Sequence, residues 1–314
     1  MARFLFSDDG RTMTADRWPK HADALWIDLG PDDRAHVHDV VNRLYQAHPQ
    51  VIERLVKGEH HRPNLLIDDG AISFMLALIP VEPDRPLHHL SFIIGHQFLV
   101  TAHLEDASQV IDDAFRYIAE NQLMDEGADF ALYQVLRGHV VALRALANHL
   151  DEEFEGLHRD LLKHPYRDMS PYILALRKRA MAAKHLLDPE RGIVELLKSD
   201  GFPYVTKKNH PYFQDVSFLM DEVVEEVQAT REGLAEMVEA YTSLQSNEIN
   251  KVMWILTLIS VISLPATTIA SIYGMNFPDI PELRWHHGYF YAVTLMVLVT
   301  IFLLIYVKKV KNHG

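Results

Sequence analysis

The sequence predicts an α+β membrane protein: a mixed α/β domain at the N-terminus, then a long helical stalk continuous with the first of two C-terminal transmembrane helices. Three observations carry that expectation. Val252–Tyr273 and Gly288–Val307 hold no formally charged residue over 22 and 20 positions, enough at 1.5 Å per residue to cross a hydrocarbon core of about 30 Å. From Tyr212 up to Pro265 there is no proline and a single glycine, Gly233, so nothing interrupts a helix over that distance. Before residue 126 the chain instead alternates strand-rich and helix-spaced runs.

Taken in order, "ALWIDLG", "NLLIDDGAISFMLALIPV" and "LSFIIGHQFLVTAHL" have strand composition, and "RAHVHDVVNRLYQAHPQVIERLVKG" and "ASQVIDDAFRYIAENQ" have helical spacing. These make residues 1–126 a cytoplasmic α/β domain. After Gly127 the chain turns helical. Asp129–Lys163 is one charged run ending before Pro165, and Ser170-Pro171 opens the next helix as N-cap and first turn. The last long helix runs from about Tyr212 to Tyr273, 62 residues or about 93 Å, more than a bilayer requires. Residues 127–250 are therefore the stalk, and 251–314 the transmembrane domain, with spans at about 252–273 and 288–307.

Average composition conceals this, because 48% hydrophobic and 23% charged is what a soluble protein shows. Orientation follows from the flanks. Lys251 precedes the first span, and Lys308, Lys309 and Lys311 follow the second, whereas the intervening loop carries Asp279, Glu282 and a lone Arg284. Both ends then face the cytoplasm, with the loop outside. Neither span lies where a signal sequence would. The formal net charge of −13, from 43 acids and 30 bases, repels nucleic acid and attracts cations. Zero cysteines excludes disulfides and thiolate metal sites.

Two faces of the long helix stand out by their spacing. Glu222, Glu225, Glu232, Glu236 and Glu239 recur at helical intervals, with Asp215 two turns earlier; this is either a solvated face or a place where cations gather. Stepping on from Asn250 collects Met253, Leu256 or Thr257, Ser260, Leu264, Thr267 and Ser271. Such a stripe is either helix-packing glue or, around an axis of several copies, a hydrated path with apolar constrictions that gate by dewetting. Pro265 frees a backbone carbonyl and allows a bend.

The tract "YGMNF" at the outer end of a span, followed by "PELRW" and a second span with a lysine-rich tail, resembles the CorA family of divalent-cation channels. The likeness extends back through "LPATTIASIYGMNF", "SNEINKVM" and "YFQDV", about the last 100 residues. Before that, only the order of segments agrees. The resemblance implies a homopentamer in the inner membrane, embedded in lipid, passing Mg2+ with Co2+ and Ni2+ as further candidates. Gly274, Met275 and Asn276 would form the selectivity filter. A ring of Asn276 carbonyls would grip a cation that sheds water reluctantly, Gly274 would let the backbone turn tightly, and Asp279 and Glu282 would add a negative rim. Many members of the family carry a glutamate just after the asparagine-phenylalanine pair; here Pro278 stands there and Asp279 follows, which leaves the position of the rim charge open. Leu264 stands where relatives often have methionine and keeps the constriction apolar.

Gating in the family relies on cytoplasmic Mg2+ bridging subunits through carboxylates. Asp215 in "YFQDV" matches the helix-borne acid, and Glu82 or Asp84 in "PVEPDRP" is its expected partner from another subunit. A zinc transporter of the same family is the alternative, since the chain has 19 histidines, including the pairs His60-His61, His88-His89 and His286-His287, and imidazole suits Zn2+ better than Mg2+. Adjacent strand residues face opposite ways, however, which makes such pairs poor chelates in that setting. From another class, a membrane-anchored sensor or adaptor would have no use for a hydroxyl stripe leading to an outer motif. Nor does the chain carry a phosphate-binding glycine loop, a nucleophile elbow or a Cys/His metal box, so no enzyme is expected.

Overall fold

A computed structural model describes residues 2–57, 63–82, 85–103, 108–165, 167–275 and 281–311. The chain divides into two compact units, Met1–Val238 and Glu239–Gly314. In the first, seven strands form one sheet: β1 (Arg3–Asp8), β2 (Arg11–Ala15), β3 (Ala24–Leu29), β4 (Asn64–Asp68), β5 (Ala71–Leu78), β6 (His88–Gly95) and β7 (Phe98–His103), in the order β2-β1-β3-β7-β6-β5-β4. Every neighbouring pair is antiparallel except β3 and β7, whose parallel register sets Leu25 against Phe98. A three-stranded antiparallel group, β2-β1-β3, thus meets a four-stranded antiparallel meander, β7-β6-β5-β4, at one parallel seam. β3, β5 and β6 are buried along almost their whole length. Both sheet faces are covered, which is why these strands read as unbroken apolar runs rather than alternating ones.

On one face Phe4, Phe6, Leu25, Ile27 and Ile93 pack against Val37, Val40 and Val41 of α1 (Val37–Leu44) and Val51 of α2 (Pro49–Lys57). On the other, the Trp26 ring lies 5.2 Å from Phe115 of α3 (Ser108–Glu120), and its indole N–H donates to Thr101 Oγ1 at 3.0 Å. Thr101 in turn donates to buried Asp28, which also receives Arg3 Nε at 3.0 Å. Burial pushes the Asp28 carboxyl up, but bonds and charge from His103 and Arg3 outweigh it and hold the group below its ordinary value.

The structure corrects the sequence reading in several places. The hairpin β1–β2 was not expected, although Asp9-Gly10 is a two-residue type I′ signal; both residues adopt positive φ, +46° and +73°. The run 64–81 divides at Asp69-Gly70 into β4 and β5, and 90–104 at His96-Gln97 into β6 and β7. The helix expected over 34–58 is a 3-10 turn followed by α1 and α2, interrupted before Pro49. Ser170 is the first residue of a helix and not its cap: both its N–H and its hydroxyl donate to Asp168 Oδ1, at 3.1 and 2.7 Å.

Three helices complete the first unit: α4 (Ala128–Lys163), α5 (Ser170–Leu197) and the start of α6 (His210–Tyr273). α6 begins two residues earlier than expected because Pro211 falls in its first turn, where a missing N–H costs nothing. Its start is tied to that of α4 by buried Asp129, which accepts from Thr206 N–H at 2.8 Å, Thr206 Oγ1 at 2.7 Å and Asn209 Nδ2 at 2.9 Å. Phe213, Val216, Met220, Val223, Val227, Leu234 and Met237 form the buried face of α6 at helical spacing. Gly233 lies close against the Phe154 ring. A Cβ there would stand 2.6 Å from Cζ of Phe154 on α4.

The second unit comprises the remainder of α6, a 3-10 turn over Pro281–Arg284 and α7 (Gly288–Lys311). Only 6% of the most apolar window of α6, and none of that of α7, is covered by the rest of the chain. Among the described residues these are not core helices, and an apolar surface of this size calls for lipid or other copies.

Candidate functional site

The stripe expected on α6 lies on its open surface: Asn250, Met253, Leu256, Thr257, Ser260, Leu264, Thr267 and Ser271 are all exposed in the chain. Three of its four hydroxyls, those of Thr257, Ser260 and Thr267, share an arrangement that the spacing alone did not disclose. Thr257 Oγ1 donates to Met253 O at 2.8 Å, Ser260 Oγ to Leu256 O at 3.0 Å, and Thr267 Oγ1 to Ser263 O at 2.8 Å. Thr268, absent from the expected set, bonds Leu264 O in the same way at 2.8 Å. Each proton is directed back at the helix, so each oxygen offers lone pairs outward. A row of acceptors suits the hydration shell of a cation. Pro265 supplies no N–H, which leaves the Val261 carbonyl without its usual donor four residues on.

At the C-terminal end of α6, Gly274 N–H donates to Ala270 O at 2.9 Å, so the helical bonding continues to this residue. Gly274 stands in a turn just after the last helical residue, and its φ lies outside the left-handed region. The glycine matters through space instead, since a Cβ would stand 3.1 Å from Ala270 O. Met275 is exposed and bonds Ile272 O at 3.3 Å. Asn276 and Asp279 lie outside the described residues, and of Glu282 only the backbone is described, in the Pro281–Arg284 turn.

In the first unit, Asp215, Glu222, Glu225, Glu232, Glu236 and Glu239 (the last opening the second unit) are all exposed, as a shared face requires. Not all are free: Glu222 is paired with Arg144 of α4. Asp215 lies near Tyr133, whose hydroxyl is pushed up by burial first and, against the opposing Arg137, by the charge of Asp215. Glu82 follows β5 and sits 3.6 Å from Arg85, at the rim of a cleft of about 680 Å³ that Arg137 and Tyr117 also line. Asp84 lies outside the described residues. Among the described residues no three carboxylate or imidazole groups converge as a metal site, so Asp215 and Glu82 do not complete one within a single chain.

One acidic group escaped the sequence reading because it lies off the counted face. Burial, together with Asp151, pushes the Glu226 carboxyl above its ordinary value; Arg144 opposes this and Glu222 adds to it. Only the packing of α4 against α6 brings these four together, and no local spacing could have revealed it.

Comparison with known proteins agrees with this architecture. The profile of the family described as CorA-like Mg2+ transporter protein matches residues 21–309. The magnesium transport protein CorA of Wolinella succinogenes is 37% identical over 300 residues, covering 92% of this chain and 91% of its own. The cobalt/magnesium transport protein CorA of Thermotoga maritima is 28% identical over 292 residues, 91% of this chain and 82% of its own. A complete structure of a CorA magnesium transporter from Methanocaldococcus jannaschii superposes with a TM-score of 0.80 at 22% identity, covering 97% of this chain and 96% of that one, which makes the fold the same. With the α/β unit, the long helix and the second apolar helix matched along nearly their whole length, the chain belongs to the CorA-like Mg2+ transporter family.

Proposed function

We propose that this chain is a divalent-cation channel that passes Mg2+, and Co2+ after it, across the inner membrane as a homopentamer, with both termini cytoplasmic and lipid around its apolar helices. No bond is made or broken in this role. The observation that supports it above others is the row of outward-facing hydroxyl oxygens on α6, in a chain whose relatives carry magnesium and cobalt in their names. Residues 1–126 and 127–250 then form the cytoplasmic domain and stalk, and 251–314 the membrane part.

On this reading a hydrated cation is held at the entrance by the Asn276 carbonyls of five copies beside Gly274 and Met275, with Asp279 and Glu282 raising its local concentration. It descends past Ser271, Thr267, Ser260, Thr257 and Asn250. Leu264, Leu256 and Met253 are the apolar rings that expel water when the pore narrows. Internal Mg2+ closes it by bridging Asp215 of one copy to Glu82 or Asp84 of the next, because facing carboxylates repel unless a cation lies between them.

Flux into liposomes tests this directly, with Mg2+, Co2+, Ni2+ and Zn2+ compared with and without a pH gradient. Mg2+ and Co2+ are expected to enter and Zn2+ to lag. Preferential Zn2+ entry would support the zinc alternative, and a membrane tether would pass none of the four.

A further inference from the structure

Two adjacent histidine pairs fall among the described residues, and the backbone treats them differently. His88 and His89 open β6, where successive side chains point to opposite faces, one half-buried and the other buried. His286 and His287 lie in a turn between Pro281–Arg284 and α7, and both are exposed. Outside a strand the alternation no longer applies. Their ring centroids are 4.9 Å apart, with the planes at 77°.

The turn beneath them is fixed. Gly288 N–H donates to Trp285 O at 3.1 Å and Tyr291 N–H to His287 O at 3.0 Å, while the Trp285 and Tyr291 rings meet edge to face with centroids 5.7 Å apart. A tetrahedral ion holding two imidazole nitrogens at about 2.0–2.1 Å sets the ring centres about 5 Å apart. The observed separation already satisfies that geometry, and exposed rings can rotate to bring their nitrogens onto one point.

We infer that His286 and His287 together bind a divalent transition-metal ion of the Zn2+ class, with water completing its coordination. Imidazole nitrogen selects such an ion over Mg2+, which requires oxygen ligands. The site is distinct from the hydroxyl stripe of α6 and uses none of its residues, and it does not depend on the transport reading.

The test is calorimetric titration of the full-length protein in detergent with Zn2+ alone, comparing the parent with His286→Gln, His287→Gln and His88→Gln. Either of the first two substitutions is expected to remove one Zn2+ per subunit, since a chelate fails when one arm is lost, and His88→Gln to remove none of that ion. Excess Mg2+ should leave the titration unchanged. Full Zn2+ stoichiometry in either His286→Gln or His287→Gln overturns the assignment, as does displacement of the ion by Mg2+. All of these readouts measure binding, so a protein that passed no Mg2+ would still decide the question.

Discussion

Nε2–H of His139 on α4 donates to Oε2 of Glu190 on α5 at 2.8 Å, and both side chains are buried. The other carboxylate oxygen, Oε1, accepts the backbone N–H of Ala77 in β5 at 2.6 Å. One carboxylate thus joins two helices to the sheet. Glu190→Ala would leave a buried imidazole and a buried amide unsatisfied, a loss of about 3 kcal/mol. Glu190→Gln, which keeps an acceptor, is expected to lose less. Denaturant unfolding in detergent measures both, and equal stability of parent and alanine variant would contradict the role.

Asn276→Ala removes the proposed ring of carbonyl acceptors while leaving the helices intact. Mg2+ uptake into liposomes should fall to background although the assembly still elutes at the parent size. Near-normal uptake would remove Asn276 from the selectivity role.

Leu264→Ser and Met253→Ser place hydroxyls where apolar rings are proposed to expel water. Leak at high internal Mg2+ should rise in both. If closed-state leak stays at the parent level in both variants, the constriction lies elsewhere on α6.

Asp215→Asn withdraws a charge from the proposed bridge between copies. A site weakened tenfold loses about 1.4 kcal/mol of bias toward the closed state once saturation is lost, and several sites act together. The variant should stay open at internal Mg2+ levels that shut the parent, and Mg2+ should protect it less from proteolysis. Unaltered closure with unaltered protection would make Asp215 one more solvated acid.

Glu226 gives a pH dependence of definite sign. Its carboxyl is raised by burial and by Asp151, with Glu222 adding to this and Arg144 opposing it, so the folded chain holds the proton more tightly than the unfolded one. That contribution to stability is complete below the ordinary carboxyl value and is lost as pH rises through the raised one. Relative to Glu226→Gln, the parent's melting temperature should therefore fall as pH rises above the ordinary carboxyl value of about 4. Parallel melting curves for the two proteins across that range would refute it.

The long helix was legible because its signal is local: no proline over more than fifty positions, one glycine, and a 3.6-residue period on two faces. The strands were legible as composition, but not their pairing. Nothing near Leu25 announces Phe98 as its neighbour, because a parallel pairing across 73 residues leaves no local signal in either strand. The first hairpin, by contrast, was announced by Asp9-Gly10 and overlooked, since its strands are short. At the candidate site the period identified which residues share the stripe, whereas the direction of each hydroxyl depends on a carbonyl four residues back and appears only with the backbone in place.

The parallel seam has a consequence for how the chain is made. Leu25 leaves the ribosome 73 residues ahead of Phe98, so β1, β2 and β3 can pair among themselves long before β7 exists. Until synthesis passes residue 103, β3 carries an open row of amide and carbonyl groups that any other nascent strand could take up. A message truncated before β7 would yield just such a fragment, which gives translation through β7 a direct part in keeping the young protein from aggregating.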